Sequence, residues 1–250
     1  MPGSVSREEV SDVKDREAIP TSLTARASRI LGAPVATVAI LAGGYTPQLL
    51  CRLTLADGRR VVLKAAARSV DAPGVVDWAA GRVDWASVLL TEARAYRALP
   101  MLRPWQPEIF GDVEESGWVA LLMEDLSSAD RVTAWSDATL GIVARDLAAM
   151  HAATLDVPSP PELVGDPLME PYFDQIQSRG RRLGKLPPSW DAPDGWAWLE
   201  LACDAGREAV EAGFTDVPQC VIHADVRSDN IFISEGRMVL IDWPFAQWFS

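Results

Sequence analysis

Short apolar runs separated by turn residues fill the first half of the chain, and apolar repeats of helical period dominate the second. Leu23, Ala27, Ile30 and Leu31 recur at helical spacing. Pro20-Thr21-Ser22 offers N-cap chemistry before them, and Gly32 and Pro34 end the segment. Val35 to Leu41 reads as a strand, followed by Gly43-Gly44. Leu49 to Leu55 reads as a second strand, Asp57-Gly58 as a hairpin turn, and Arg60 to Leu63 as a third strand that ends at Lys64. Ser69 to Gly81 reads as a loop broken at Pro73-Gly74. In Asp84 to Leu99 the apolar residues Val88, Leu89, Tyr96 and Leu99 predict a helix, and Glu92 is its only interior acid. Pro100 to Pro107 is a connection. Glu108 to Gly111 and Trp118 to Met123 read as strands joined by the acidic turn Asp112 to Gly117. At Met123-Glu124-Asp125-Leu126 the chain passes from apolar to acidic.

Beyond that point Asp137 to Ala153 predicts a helix with Leu140, Val143, Ala144, Leu147, Met150 and His151 on one broad face. A histidine there, near a helix end, is a packing or capping residue. Two further helices are expected, Glu170 to Gly184 with a basic end at Arg179, Arg181 and Arg182, and Trp196 to Ala212. The chain then returns to strands. Val221-Ile222 is followed by the polar loop His223 to Asn230, the run Ile231-Phe232-Ile233, the turn Ser234 to Arg237, and Met238 to Ile241.

That last hairpin brings three polar side chains, Asp225, Asn230 and Asp242, toward one end. Hard cations such as magnesium take oxygen ligands, one or two of them from the protein beside a phosphate. Asn230 and Asp242 supply such oxygens, which leaves Asp225 to orient an attacking hydroxyl and receive its proton. His223, Asp225 and Asn230 stand at the spacing H-x-D-x-x-x-x-N of a phosphoryl-transfer loop. Arg227 places positive charge near a transferring phosphate.

The loop His223-Ala224-Asp225-Val226-Arg227-Ser228-Asp229-Asn230, followed by Leu240-Ile241-Asp242-Trp243, resembles the aminoglycoside phosphotransferases and choline-kinase-like small-molecule kinases. Trp243 after the aspartate fits this group better than the protein kinases. The resemblance implies an α+β, protein-kinase-like bilobal fold: a small lobe with an antiparallel sheet plus a helix, and a mainly helical large lobe. It implies a nucleotide-binding lobe over 21–126 and a catalytic lobe over 127–250, and residues 1–20, polar with charges of both signs, read as a mobile tail before them. Lys64 would reach the α- and β-phosphates with Glu92 as its partner, the alternative being a solvent-facing lysine. Gly43 and Gly44 would let the backbone approach phosphates, although the full G-x-G-x-x-G is absent and a plain hairpin turn fits them too. Backbone groups of Glu124 and Leu126 would hold the purine. The expected donor is ATP or GTP with Mg2+, and the acceptor a small hydroxylated molecule such as an aminoglycoside, a choline-like amine or a sugar.

Composition narrows this picture. A chain of 250 residues with 48% hydrophobic content can bury a sizeable core. The net charge of -12 argues against nucleic acid as partner and suits a cationic substrate. Cys51, Cys203 and Cys220 form no C-x-x-C pattern, so neither a disulfide framework nor a zinc site is expected. Without a signal peptide pattern or a membrane-spanning run, a cytoplasmic protein is expected. Only eight residues follow Asp242. The sequence therefore predicts an incomplete large lobe, with apolar surface at Trp243, Phe245, Trp248 and Phe249 that would favour a homodimer. The competing functional reading is a nucleotide-binding module without turnover.

Overall fold

The computed structural model describes residues 19–41, 47–71, 73–74, 76–77, 82–155, 157–158, 160 and 218–249, with scattered positions between 197 and 208. Its elements in chain order are α1 (Thr21–Leu31), β1 (Val35–Ile40), β2 (Leu49–Leu55), β3 (Arg60–Ala67), β4 (Val76–Asp77), β5 (Arg82–Val83) and α2 (Trp85–Ala98). A 3-10 turn (Pro100–Trp105) leads to β6 (Ile109–Glu115), β7 (Trp118–Glu124), β8 (Asp130–Arg131) and α3 (Asp137–Ala152). β9 (Cys220–Ile222), β10 (Ile231–Ser234), β11 (Arg237–Leu240) and β12 (Gln247–Phe249) complete the order. The helices expected over 170–184 and 196–212, and most of the expected N-terminal tail, lie outside the described residues.

A five-stranded antiparallel sheet in the order β1-β2-β3-β7-β6 is the frame of the first half. Both of its faces are covered. On one face α1 buries Leu23, Ala27 and Leu31 against Cys51, Leu53, Leu63 and Leu122. On the other, α2 buries Leu89, Ala93 and Tyr96 against Val62, Ala66 and Leu121. Burying each such leucine contributes roughly 2 kcal/mol. Because successive strand residues face opposite sides, β3 reads as an almost unbroken apolar run, with Val61, Leu63 and Ala65 toward α1 and Val62, Lys64 and Ala66 toward α2. The α2-side core continues without a break into Val143 and Met150 of α3 and Ile231, Met238 and Leu240 of the β10–β11 hairpin.

Several local expectations shift. β3 runs four residues past Leu63 to Ala67, so Lys64 lies mid-strand and is buried, not solvent-facing. The acidic segment 112–117 is mostly strand: β6 extends to Glu115, and Ser116-Gly117 make the turn, with φ of 51° and 80°. That pair of positive angles is the hairpin geometry that matches strand twist. The 69–81 loop carries the small β4–β5 pair. α1 starts at Thr21 behind Pro20, with no side-chain cap. The broad α3 face is narrower than expected: Val143, Asp146 and Met150 are buried, while Leu140 and Ala144 are exposed.

The C-terminal aromatic patch differs more. Trp243 is fully buried, its indole N–H donating to Leu240 O at 2.9 Å. Trp248 packs half-buried on the same core, and its strand β12 pairs with β9. Two of the four residues expected to expose apolar surface are thus part of the interior. Among the described residues no helix is long and apolar enough to cross a membrane.

Candidate active site

Strand parity aims Lys64 into the space under the sheet, and helical periodicity brings Glu92 up to meet it. Lys64 Nζ donates to Glu92 Oε2 at 2.6 Å, and Tyr96, one helical turn on, donates its hydroxyl to Glu92 Oε1 at 3.3 Å. Lys64 also contacts Asp242 Oδ1 across the cleft. Burial alone would push the Lys64 pKa down, but the charges of Glu92 and Asp242 outweigh it and hold the ammonium above its usual range. Burial, reinforced by the Glu92 charge, raises the Tyr96 phenol well above its usual value, so it remains a donor.

The position of α2 is itself fixed. Asp84 caps its N-terminus, accepting from Ala86 N–H at 3.3 Å, and the same carboxylate takes Ser69 N–H at 3.1 Å and Gly74 N–H at 2.8 Å. One buried aspartate thereby ties the loop after β3 to the helix that carries Glu92.

On the opposite side the loop 223–230 is set by backbone geometry. His223 Nε2–H donates to Ile241 O at 2.9 Å, while Nδ1 accepts the Asp225 N–H at 3.3 Å. The imidazole therefore joins the two ends of the loop–hairpin unit. Burial lowers its pKa to about 4, so it is neutral at pH 7, as both bonds require. It meets Trp243 edge-on, with centroids 4.7 Å apart. Ala224 and Asp242 both take positive φ, 61° and 68°, a strained state for residues with a Cβ that persists where the surroundings enforce it.

Asn230 is buried and donates its amide nitrogen twice, to Asp225 O and Asp225 Oδ2, each at 3.0 Å. Its amide oxygen takes no part in these two bonds and could hold a metal. Burial pushes the Asp225 carboxyl up, against the pull of Arg227 and Asn230. Arg227 Nε lies 3.4 Å from Asp225 Oδ1, and its Nη2 lies 3.1 Å from Asp229 Oδ2.

Between these halves is a cavity of about 380 Å³. Leu41, Leu50 and Val62 line it from the sheet, Phe232 and Ile241 from the hairpin, and Met123 to Ser127 from the segment joining them. Lys64, Glu92, Asn230, Asp242 and Arg227 share this lining, as do Glu124 and Leu126. Asp225 is attached to it through Asn230. Gly43 and Gly44 lie outside the described residues. Three features were not anticipated: the His223 joint, the Tyr96 bond to Glu92, and Arg52, whose guanidinium pairs with Asp125 at 2.8 Å. The spacing of Tyr96 four residues after Glu92 was a usable signal. The Arg52–Asp125 pair spans 73 positions and leaves no local trace.

A family model described as the phosphotransferase enzyme family matches residues 37–248. The chain belongs to this family. Solved structures similar to this phosphotransferase-family chain share its fold. A spectinomycin phosphotransferase in complex with ADP and spectinomycin is 11% identical with a TM-score of 0.59, the match covering 91% of this chain and 69% of that one. An aminoglycoside phosphotransferase from Streptomyces rimosus, in complex with ADP and streptomycin, is 14% identical with a TM-score of 0.53, covering 91% and 78%. An amicoumacin kinase in complex with AMP-PNP and Ca2+ is 13% identical with a TM-score of 0.51, covering 92% and 65%. No curated protein matches the sequence. The fold is thus the α+β, protein-kinase-like bilobal one, and the chain is a phosphotransferase by family.

Proposed function

We propose that this chain moves the γ-phosphoryl group of ATP or GTP to a hydroxyl of a small molecule, with aminoglycoside-type antibiotics the first acceptors to test. The observation that carries this reading is Lys64 held between Glu92 and Asp242, which joins the sheet, α2 and the hairpin at one point beside the cavity. The relatives in complex with ADP or AMP-PNP support a nucleotide donor.

The geometry supports the following roles. The apolar walls take the base, and Glu124 N–H and Leu126 O are already bonded to Glu108 O and Ala129 N–H. Glu124 O and Leu126 N–H are the groups of the joining segment proposed to meet a purine. Lys64, freed toward the ligand, steadies the α- and β-phosphates. Among the described residues no three His, Cys, Asp or Glu side chains are grouped to hold a metal by themselves. The donors present, the Asn230 amide oxygen and the Asp242 carboxylate, suit Mg2+ shared with phosphates. When bound, the ion would neutralise phosphate charge. Asp225 accepts the proton of the acceptor hydroxyl as its oxygen bonds to phosphorus and the bond to the bridging oxygen breaks, releasing nucleoside diphosphate. Arg227 stands beside Asp225 to offset charge on the transferred group. The net charge of -12 favours cationic acceptors, and a cytoplasmic setting supplies the triphosphate.

The test is phosphate transfer from ATP and from GTP across a panel of aminoglycosides, choline-like amines and sugars. Transfer to at least one acceptor is expected. Nucleotide binding without transfer to any of them would leave a binding module in place of an enzyme.

A further inference from the structure

A larger cavity, of about 760 Å³, lies apart from the one already described, and Glu124 is the single residue that lines both. Its wall is built from the C-terminal end of α2, the 3-10 turn, β6 and the β10–β11 hairpin. Both halves of the molecule therefore contribute to it.

The charges in this wall are unevenly used. Arg97 is paired with Asp112, and Glu124 Oε2 accepts Glu108 N–H at 3.1 Å. Arg103 and Arg237 form no ion pair among the described residues, and both are exposed. Gln106 is only 7% exposed, and its Nε2 is the one buried side-chain nitrogen or oxygen among the described residues without a hydrogen-bond partner. Buried donors are nearly always matched, so an unmatched amide just behind the cavity wall marks a place where a small side-chain shift would meet an acceptor held in the cavity.

We propose that this cavity is a second ligand site, which takes a small molecule bearing one oxyanion, a carboxylate or a phosphate, on Arg103, Arg237 and the Gln106 amide. Guanidinium groups recognise such planar or tetrahedral oxyanions through paired N–H donors. Glu108 and Glu124 line the same space and oppose a polyanion, while they accept from hydroxyl groups. A hydroxylated molecule with a single carboxylate or phosphate group therefore fits better than a nucleotide. Such a ligand spans from the segment after α2 to the hairpin that follows Asn230. It also reaches the wall formed by Tyr96, whose hydroxyl holds Glu92.

The experiment is calorimetric titration of the full chain with glycerate and with glycerol 3-phosphate, glycerol being the neutral control. The runs are made with and without saturating magnesium AMP-PNP. Binding of at least one of the two anions, unaffected by the nucleotide, is expected, with no binding of glycerol. The double variant Arg103→Ala/Arg237→Ala, whose residues are exposed, should keep its melting temperature and nucleotide affinity and lose about tenfold in anion affinity. Gln106→Ala should weaken the anion further. The proposal is overturned if neither anion binds, if the double variant binds equally well, or if AMP-PNP displaces the anion. The anion titration alone decides it, so a failure to transfer phosphate in the panel assay would not be confused with its failure.

Discussion

The two sides of the cleft are built in opposite ways. Above, Lys64 and Glu92 are placed by regular secondary structure and fixed by burial, with Lys64 6% and Glu92 0% exposed. Below, Asp225 and Asp242 are half-buried, and loop geometry places them: two positive-φ residues, a neutral histidine bonded at both nitrogens, and an asparagine amide. The upper side is a buried network that meets the lower side at one point, through Lys64 and Asp242. The lower side keeps polar atoms available, notably the Asn230 oxygen and part of the Asp242 carboxylate. A site that must grip phosphates and also turn over a hydroxyl needs both, a stiff anchor and an accessible reacting edge.

The largest break in this comparison is expected at the accessible edge. Asp225→Ala should lower phosphate transfer by about a thousandfold, within the usual span for losing a general base, while nucleotide affinity stays within a few-fold. Steady-state transfer beside equilibrium binding checks the split. The carboxyl's raised pKa adds a pH signature: transfer should fall with acid at a higher pH than an ordinary aspartate would give.

The His223 joint comes next. Its folded pKa of about 4 lies below the ordinary value of 6.5, so the unfolded chain binds the proton more tightly. The stability this group contributes is fully present above pH 6.5 and is lost as pH falls toward 4. The loss amounts to about 3 kcal/mol. Urea unfolding at pH 7 and at pH 4 measures it, and His223→Gln should flatten the slope between them.

A smaller effect is expected at the buried anchor. Glu92→Ala leaves Lys64 with Asp242 alone and should cost about 2 kcal/mol, less than the general cost of stripping a buried ion of its only partner. Tyr96→Phe removes one hydrogen bond of 3.3 Å and should cost about 1 kcal/mol or less. If Tyr96→Phe proved as damaging as Glu92→Ala, the anchor would depend on the phenol more than on the ion pair.

These contrasts also explain what could be read from the sequence. The strands, α2 and the hairpin were legible because short apolar runs and helical period report burial directly, as the Val61–Leu63 run and the Val88–Tyr96 repeat show. Strand ends were less legible: Glu114 and Glu115 look like a turn, yet β6 carries them as a solvated end. The polar loop was visible as a motif, but not the force that shapes it. Nothing in His223 as a letter says that it joins Ile241 to Asp225. The Lys64–Glu92 pairing could be guessed from position, whereas Arg52–Asp125 and the Arg103–Gln106–Arg237 wall depend on tertiary proximity alone.

The central claim is that the two unlike sides act on one magnesium nucleotide. Nucleotide binding measured by calorimetry in magnesium and in chelator, for the wild type, Lys64→Ala and Asp242→Ala, tests it most directly. The account predicts binding that needs magnesium and that weakens at least tenfold in each variant. Equal affinity in chelator, or an unchanged affinity when either residue is removed, would contradict it.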